Sequence, residues 1–352
     1  MKPMDSVIYF HHALWLNEGC RRKRSMKHSG SKRRTLMENT IGSVMKARKR
    51  SKRKNTLQAV IDHWQIYLFI LPAIIYVALF SYGPMYGIQI AFKDFRPGLG
   101  IWDSPWVGLK HFIRFVTYPD FWQMMQNTLS ITLYSLATFP CAIFLAIFLN
   151  EMKNRKFQKT VQMITYAPHF LSTVVLCSLV LMLTHKSTGP INNVLDILGL
   201  QRIDFMTQPA YFSSVYVWSG VWQSLGWNSI IYIAALANVS PELIDAAKID
   251  GAGRFQVIRY INIPTILPTI IITFILNTGS LLSVGFEKIF LLQNDLNLAA
   301  SRVISTYTYE IGILGGQFSY SSAIGFFNNV VNILMLLVVN TVSKKVSDIG
   351  LW

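Results

Sequence analysis

Six stretches of this chain run for more than twenty residues each without an Asp, Glu, Lys or Arg. They are Ile66–Phe92, Met124–Leu149, Thr160–Thr184, Ala210–Val239, Tyr260–Phe286 and Tyr320–Ser343. A helix needs about 20 apolar residues to cross about 30 Å of hydrocarbon, whereas buried soluble helices run to about 10–14. Lipid offers the backbone no hydrogen-bond partners, so such a stretch must satisfy its own, as a helix does. Trp64, Tyr67, Trp102, Trp106, Trp122, Tyr211 and Tyr320 crowd the ends, where amphipathic rings settle at the interface. The expected fold class is an all-α membrane protein with six transmembrane helices. The first span is too long and too deep in the chain to be a cleaved signal peptide.

The net charge of +16 suggests nucleic-acid binding until it is located. Residues 1–64 hold 16 of the 33 Lys and Arg and only four acids, Asp5, Glu18, Glu38 and Asp62. The excess is a tail property, better suited to topology or anionic lipid than to a nucleic acid. Six spans put both termini on one side. If that side is cytoplasmic, segments 1–65, 150–159, 240–259 and 344–352 carry 25 of the 33 basic residues. The outer segments carry eight, among them Lys93, Lys186, Lys288 and Arg302, balanced by eight acids. The expected topology is therefore N-in, C-in. The expected organisation is a basic tail (1–64), a six-span domain (65–343) and a short tail (344–352). Cys141 and Cys177 lie mid-span and Cys20 in the tail, so no disulfide framework is indicated.

Ion-coupled transporters need ionisable groups inside their spans. These spans hold one, His169, beside Pro168, and it is read as a satisfied polar residue at a helix irregularity. No Gly-Lys dipeptide exists, so there is no phosphate-cradling Walker A loop. Neither metal-ligand spacing nor a nucleophile elbow is present, and no catalytic residue is assigned. The polar groups within the spans are uncharged: Gln223, Trp227 and Asn228, then Asn277, Thr278 and Ser280, then Asn328, Asn329 and Asn332. Interhelical hydrogen bonding accounts for them. The alternative is a hydrophilic path, since amides and aromatic faces together suit sugars. Gln223, Trp227, Asn228, Asn277, Ser280 and Asn328 are its candidates.

The segment from Asn238 to Pro264 is punctuated beyond the needs of a loop. Ser240 is placed to cap a helix and Pro241 to open it. Glu242 suits the positive helix end. Gly251 and Gly253 permit a sharp stop near Asp250. A second short helix, Arg254–Tyr260, is expected before Pro264 and Pro268. The expected product is a rigid knob of two short helices on the inner face.

This segment resembles the "EAA" loop of permease subunits from binding-protein-dependent ABC importers. The pattern E-A-A, three residues, G, nine residues, I-x-L-P is met by Asp245-Ala246-Ala247, Gly251 and Ile261-Asn262-Ile263-Pro264. Asp replaces the first Glu, and Ile263 replaces Leu. Asp250-Gly251-Ala252 and Phe255 are similar to the sugar-importer branch. The runs at 281–292, 303–307 and 316–321 and the Gly-Leu-Trp terminus resemble polysaccharide and oligosaccharide permeases of the alginate and rhamnogalacturonan type. The likeness covers about residues 60–352. Residues 1–36 have no counterpart in it, and Met26, Met37 and Met45 stand beside Met1 as alternative starts.

The resemblance implies a type I ABC importer permease in a bacterial cytoplasmic (inner) membrane. It implies a second permease subunit, a different chain by family precedent, two ATPase subunits and an extracytoplasmic solute-binding protein. ATP and Mg would bind the ATPase subunits, and no cofactor this chain. Loop 240–264 would be the coupling loop, with Asp245, Ala246, Ala247, Asp250, Gly251, Phe255 and Pro264 at the ATPase contact. The cargo would be an oligosaccharide or polysaccharide fragment. The same architecture also serves peptides, phosphate or simple sugars. An intramembrane enzyme or sensor, and a nucleic-acid tether, are the other classes.

Overall fold

The structure, a computed structural model, describes residues 64–279, 282–347 and 349–351. The basic tail with Met1, Met26, Met37, Met45 and Cys20, and also Ser280, lie outside the described residues. The chain divides into two units, one up to Met85 and one from Tyr86 onward.

In the first unit, helix α1 (Trp64–Val77) passes into a π turn, Ala78–Tyr82, and a last helical turn, Gly83–Met85. The Gly83 N–H donates to the Ala78 carbonyl, five residues back. Pro84 follows with no N–H to give, and the wide turn absorbs the mismatch.

The second unit is built almost wholly from helices. Phe121–Asn150 is one apolar stretch made of α2 (Phe121–Ala137) and α3 (Pro140–Asn150). After α4 (Arg155–Tyr166) and a 3-10 turn (Ala167–Phe170) comes α5 (Thr173–Thr184). The long α6 (Pro209–Leu236) is followed by the short α7 (Pro241–Ile249). Then come α8 (Ile263–Thr278), α9 (Phe286–Leu292), α10 (Ile304–Tyr309) and α11 (Phe318–Ser347).

By length and composition, Trp64–Phe92, Phe121–Asn150, Arg254–Thr278 and Phe318–Ser347 are each a single helical stretch fit to span a membrane. Two further candidates are bent pairs. Arg155–Phe170 and Thr173–Thr184 meet at 106°, and Pro209–Leu236 and Pro241–Ile249 at 75°. The irregularity expected at Pro168 within Thr160–Thr184 is thus a full break between two helices. Pro168 interrupts the hydrogen-bond ladder, and Leu171 and Ser172 are extended. Ser172 then accepts from the Val175 N–H at 3.4 Å and restarts the helix.

The second short helix expected at Arg254–Tyr260 is corrected. It does not stop before Pro264 but runs into α8 through a π turn, Ile258–Asn262. The Ile263 N–H reaches back to Ile258, so Pro264 is accommodated as Pro84 is.

Three apolar clusters hold the second unit together. Ile131, Cys177, Phe212, Ile289 and Val303 join α2, α5, α6 and α9. Phe115, Phe121, Met124, Tyr307 and Tyr320 join α2, α10 and α11. Ala142, Ala146, Ile147, Tyr232, Leu236 and Ile266 join α3, α6 and α8. Small residues at the last contact let the helix backbones approach, the usual device where lipid removes the hydrophobic drive. Gly226 carries it furthest: a Cβ there would run into the Thr165 carbonyl of α4. Cys177 is buried and Cys141 half-buried, both as free thiols.

Candidate functional site

Between α2, α6, α8 and the segment 283–288 lies a cavity of about 660 Å³, within the range of small-molecule sites. Its long wall is one face of α6. Tyr216, Gly220, Gln223, Ser224, Trp227, Asn228 and Ile231 recur at three- and four-residue intervals, which is one stripe of a helix. The same spacing brings Thr132 and Ser135 in from α2 and Thr273 and Asn277 from α8. Hydroxyls, amides and aromatic faces therefore share the wall of this cavity with apolar side chains such as Leu136, Val221 and Ile231.

Of the candidate path residues, Gln223, Trp227, Asn228 and Asn277 line this cavity. Asn328 is not among its lining residues; its Nδ2 donates to the Leu282 carbonyl at 3.2 Å. Beside it Asn332, buried, accepts from the Leu282 N–H at 2.8 Å and donates to Ser283 Oγ at 2.9 Å. These two amides tie the non-helical segment after α8 to α11.

Two lining residues also hold the broken span. Gln223 Nε2 donates to the Leu171 carbonyl at 3.2 Å, inside the break. The Trp227 ring stacks on His169, with centroids 4.4 Å apart and planes 7° apart. His169 thus rests on an aromatic face at the bend.

Sequence reasoning missed Lys288. It was placed among loop charges, yet it is buried and lines the cavity. Its Nζ donates to the Tyr216 carbonyl at 2.8 Å and lies 4.7 Å from the Tyr216 ring centre. Only its place in the run 281–292 could have drawn attention to it.

The other exposed feature is the knob following α6. Ser240 holds the N-cap position of α7, but its hydroxyl makes no capping bond; Pro241 opens the helix. Ile244 packs against the Ala142–Ile266 cluster and anchors the knob, while Leu243 and Ile249 stay exposed. Asp245 pairs with Lys248 at 3.1 Å on the surface, an interaction worth about 0.2–0.5 kcal/mol. Ala246 is exposed and Ala247 half-buried. Past Asp250, Gly251 takes φ +82°, a left-handed conformation that glycine adopts without penalty. Ala252 N–H then reaches Ala247 O at 2.8 Å and Gly251 N–H reaches Lys248 O at 3.1 Å, which closes the helix end. Gln256 Oε1 accepts from the Gly253 N–H at 2.7 Å and starts the next turn. Phe255 and Pro264 are exposed beyond it.

Among the described residues no group of His, Cys, Asp and Glu is arranged to hold a metal ion. A helical chain with several membrane-length segments, a cavity that carries hydroxyls and amides on its wall, and a protruding knob is the anatomy of a membrane transport component. The family described as "Binding-protein-dependent transport system inner membrane component" matches residues 138–348, and the chain belongs to it. It is a permease subunit of an inner membrane, not an enzyme.

The polygalacturonan/rhamnogalacturonan transport system permease protein YteP of Bacillus subtilis (strain 168) is 42% identical over 305 residues. That match covers 86% of this chain and 95% of the relative. A chain of the bacterial alginate ABC transporter, crystallised in complex with an alginate pentasaccharide-bound periplasmic protein, superposes with a TM-score of 0.77. It is 37% identical, with 84% of this chain and 99% of that one covered. A second structure, of an ABC transporter involved in the import of the acidic polysaccharide alginate, gives 0.76 at 37% identity, covering 83% and 99%. The fold is that of an ABC importer permease.

Proposed function

We propose that this permease carries an oligosaccharide or polysaccharide fragment inward through the cavity beside α6, driven by ATP hydrolysis in partner subunits. One observation carries the reading: α6 presents the polar wall of the cavity at its middle and leads directly into the exposed knob. Gln223, Trp227, Asn228 and Asn277 are the proposed sugar contacts, as hydroxyl partners and a stacking face. The sugar cargo is supported by the relatives named for polygalacturonan, rhamnogalacturonan and alginate.

The proposed topology is six spans, N-in and C-in, with Thr160–Thr184 crossing once together with its break and Ala210–Val239 crossing ahead of the knob. Its support is the placement of 25 of the 33 Lys and Arg on the inner segments. The knob then faces the cytoplasm. Asp245, Ala246, Ala247, Asp250, Gly251, Phe255 and Pro264 meet a cleft of an ATPase subunit, where ATP and Mg bind. A second permease chain, two ATPase subunits and an extracytoplasmic binding protein complete the assembly.

Uptake by the reconstituted complex tests this. The expected result is oligosaccharide entry that needs ATP inside and binding protein outside. Entry of peptide or phosphate, with no sugar entry, refutes it.

A further inference from the structure

Lys288 is out of place as a structural residue. An ammonium group is strongly hydrated, and burying one is costly unless it is paired. Lys288 is 9% exposed and forms no ion pair with any carboxylate among the described residues. Its protein partners are one carbonyl, of Tyr216, and the face of the same ring. Two of its three N–H groups have no acceptor among the described residues. Burial lowers the ammonium from its ordinary value to about 8, which leaves it a cation at neutral pH.

Lys93, the other buried lysine, shows the contrast. Its Nζ is spent on two carbonyls, Ile101 at 2.7 Å and Trp102 at 3.3 Å, under the Trp106 ring. Lys93 fastens a loop. Lys288 stands at the wall of a cavity with hydrogen-bonding capacity left over. The wall opposite makes room for it: a Cβ on Gly220 would come within 3.2 Å of Nζ.

We infer that Lys288 is the carboxylate-recognising residue of the transport cavity, so that the cargo is a uronate-bearing oligosaccharide read by its charge. The inference rests on the oligosaccharide reading above and adds to it the chemical class of the substrate. A carboxylate entering the cavity supplies a counter-ion and accepts from the two N–H groups that have no acceptor among the described residues. Neutral lining amides bind hydroxyls and leave the charge to Lys288. Charge-assisted hydrogen bonds of this kind are roughly twice as strong as neutral ones.

The test uses the reconstituted complex and two probes, uronate oligomers (of galacturonate and of alginate) and their methyl esters, which mask the charge. The readout is the ratio of acid to ester uptake, in which the binding protein's own preference is common to all variants. In K288Q the ratio is expected to fall about tenfold or more, as for a lost hydrogen bond to a charged group. K288R should restore it, and Gly220→Ala, which crowds Nζ while keeping the charge, should lower it partly. If K288Q lowers acid and ester uptake alike, or leaves both as they were, Lys288 is structural and the inference falls while the oligosaccharide reading stands. If the wild-type complex imports neither probe but does import a neutral oligosaccharide, the inference falls while the oligosaccharide reading stands; if it imports no oligosaccharide of either kind, both fail.

Discussion

Replacing Gly251 isolates one physical cause of coupling. The residue sits at φ +82° with nothing within 4 Å of where a Cβ would be. Any effect of a side chain inside this subunit is therefore dihedral strain, not collision. A non-glycine residue in the left-handed region costs about 1–2 kcal/mol, with Asn and Asp the best tolerated and β-branched residues the worst. The helix end is closed past Asp250 by the two hydrogen bonds at 2.8 and 3.1 Å, so strain is relieved by opening them. A cost of 1–2 kcal/mol is a factor of about 5–30 in the population of the closed knob. If only the closed knob docks, apparent affinity for the ATPase subunit falls with the closed fraction, by up to that factor. The expected order of loss is Asn and Asp least, Ala intermediate and Val greatest. It is measured as binding of the purified permease to isolated ATPase subunits and as ligand-stimulated ATP hydrolysis in proteoliposomes. The reasoning is refuted if Val equals Asn, or if Asp and Asn match Val while Ala behaves as wild type; that pattern reports bulk at the interface.

Two further outcomes bear on the walls of the molecule. Asn332→Ala strands the buried Leu282 N–H, at a cost of about 1–3 kcal/mol, and hydrogen exchange should rise at residues 282–284; Asn332→Asp, which keeps the acceptor, should lose less. His111 is buried, its Nε2–H donates to the Lys93 carbonyl at 3.2 Å, and its Nδ1 has no partner. Burial holds its pKa below the ordinary 6.5, so the unfolded chain takes up a proton that the folded one refuses. Stability should fall as pH drops below about 6.5, and His111→Gln should flatten that slope in thermal melts at pH 7.5 and 5.5; an unchanged slope refutes the assignment.

The long apolar stretches were legible because exclusion of charge is a property of composition, and lipid leaves a helix as the solution. The knob was legible because Pro241 and Gly251 act locally, through φ and a missing N–H. What escaped was set by neighbours. Nothing in the charge-free run from Thr160 to Thr184 announces a 106° bend, because the amide that braces it, Gln223, is about fifty residues away. Pro168 marked an irregularity but not its angle. Lys288 read as a loop charge because topology counts charges by segment and does not see a segment folding back against Tyr216. Asn328 and Asn277 look equivalent in sequence, yet one braces a strap and the other faces a cavity. The short second helix of the knob vanished into α8 because a π turn let the chain continue past Pro264.

α6 joins parts that sequence treats separately. From Tyr216, whose carbonyl holds Lys288, to Leu236 at the knob is about twenty residues, or ~30 Å of rod. A tilt of ~10° about its middle, an arm of ~15 Å, displaces each end by ~2.6 Å, about half the pitch of a helical turn. Gly226 and the Trp227–His169 stack fix α4 near the middle of that rod, where a fulcrum would be. Between Tyr216 and Leu236 α6 has no break, so the long wall of the cavity and the root of the knob belong to one rod, and the 75° bend lies beyond it.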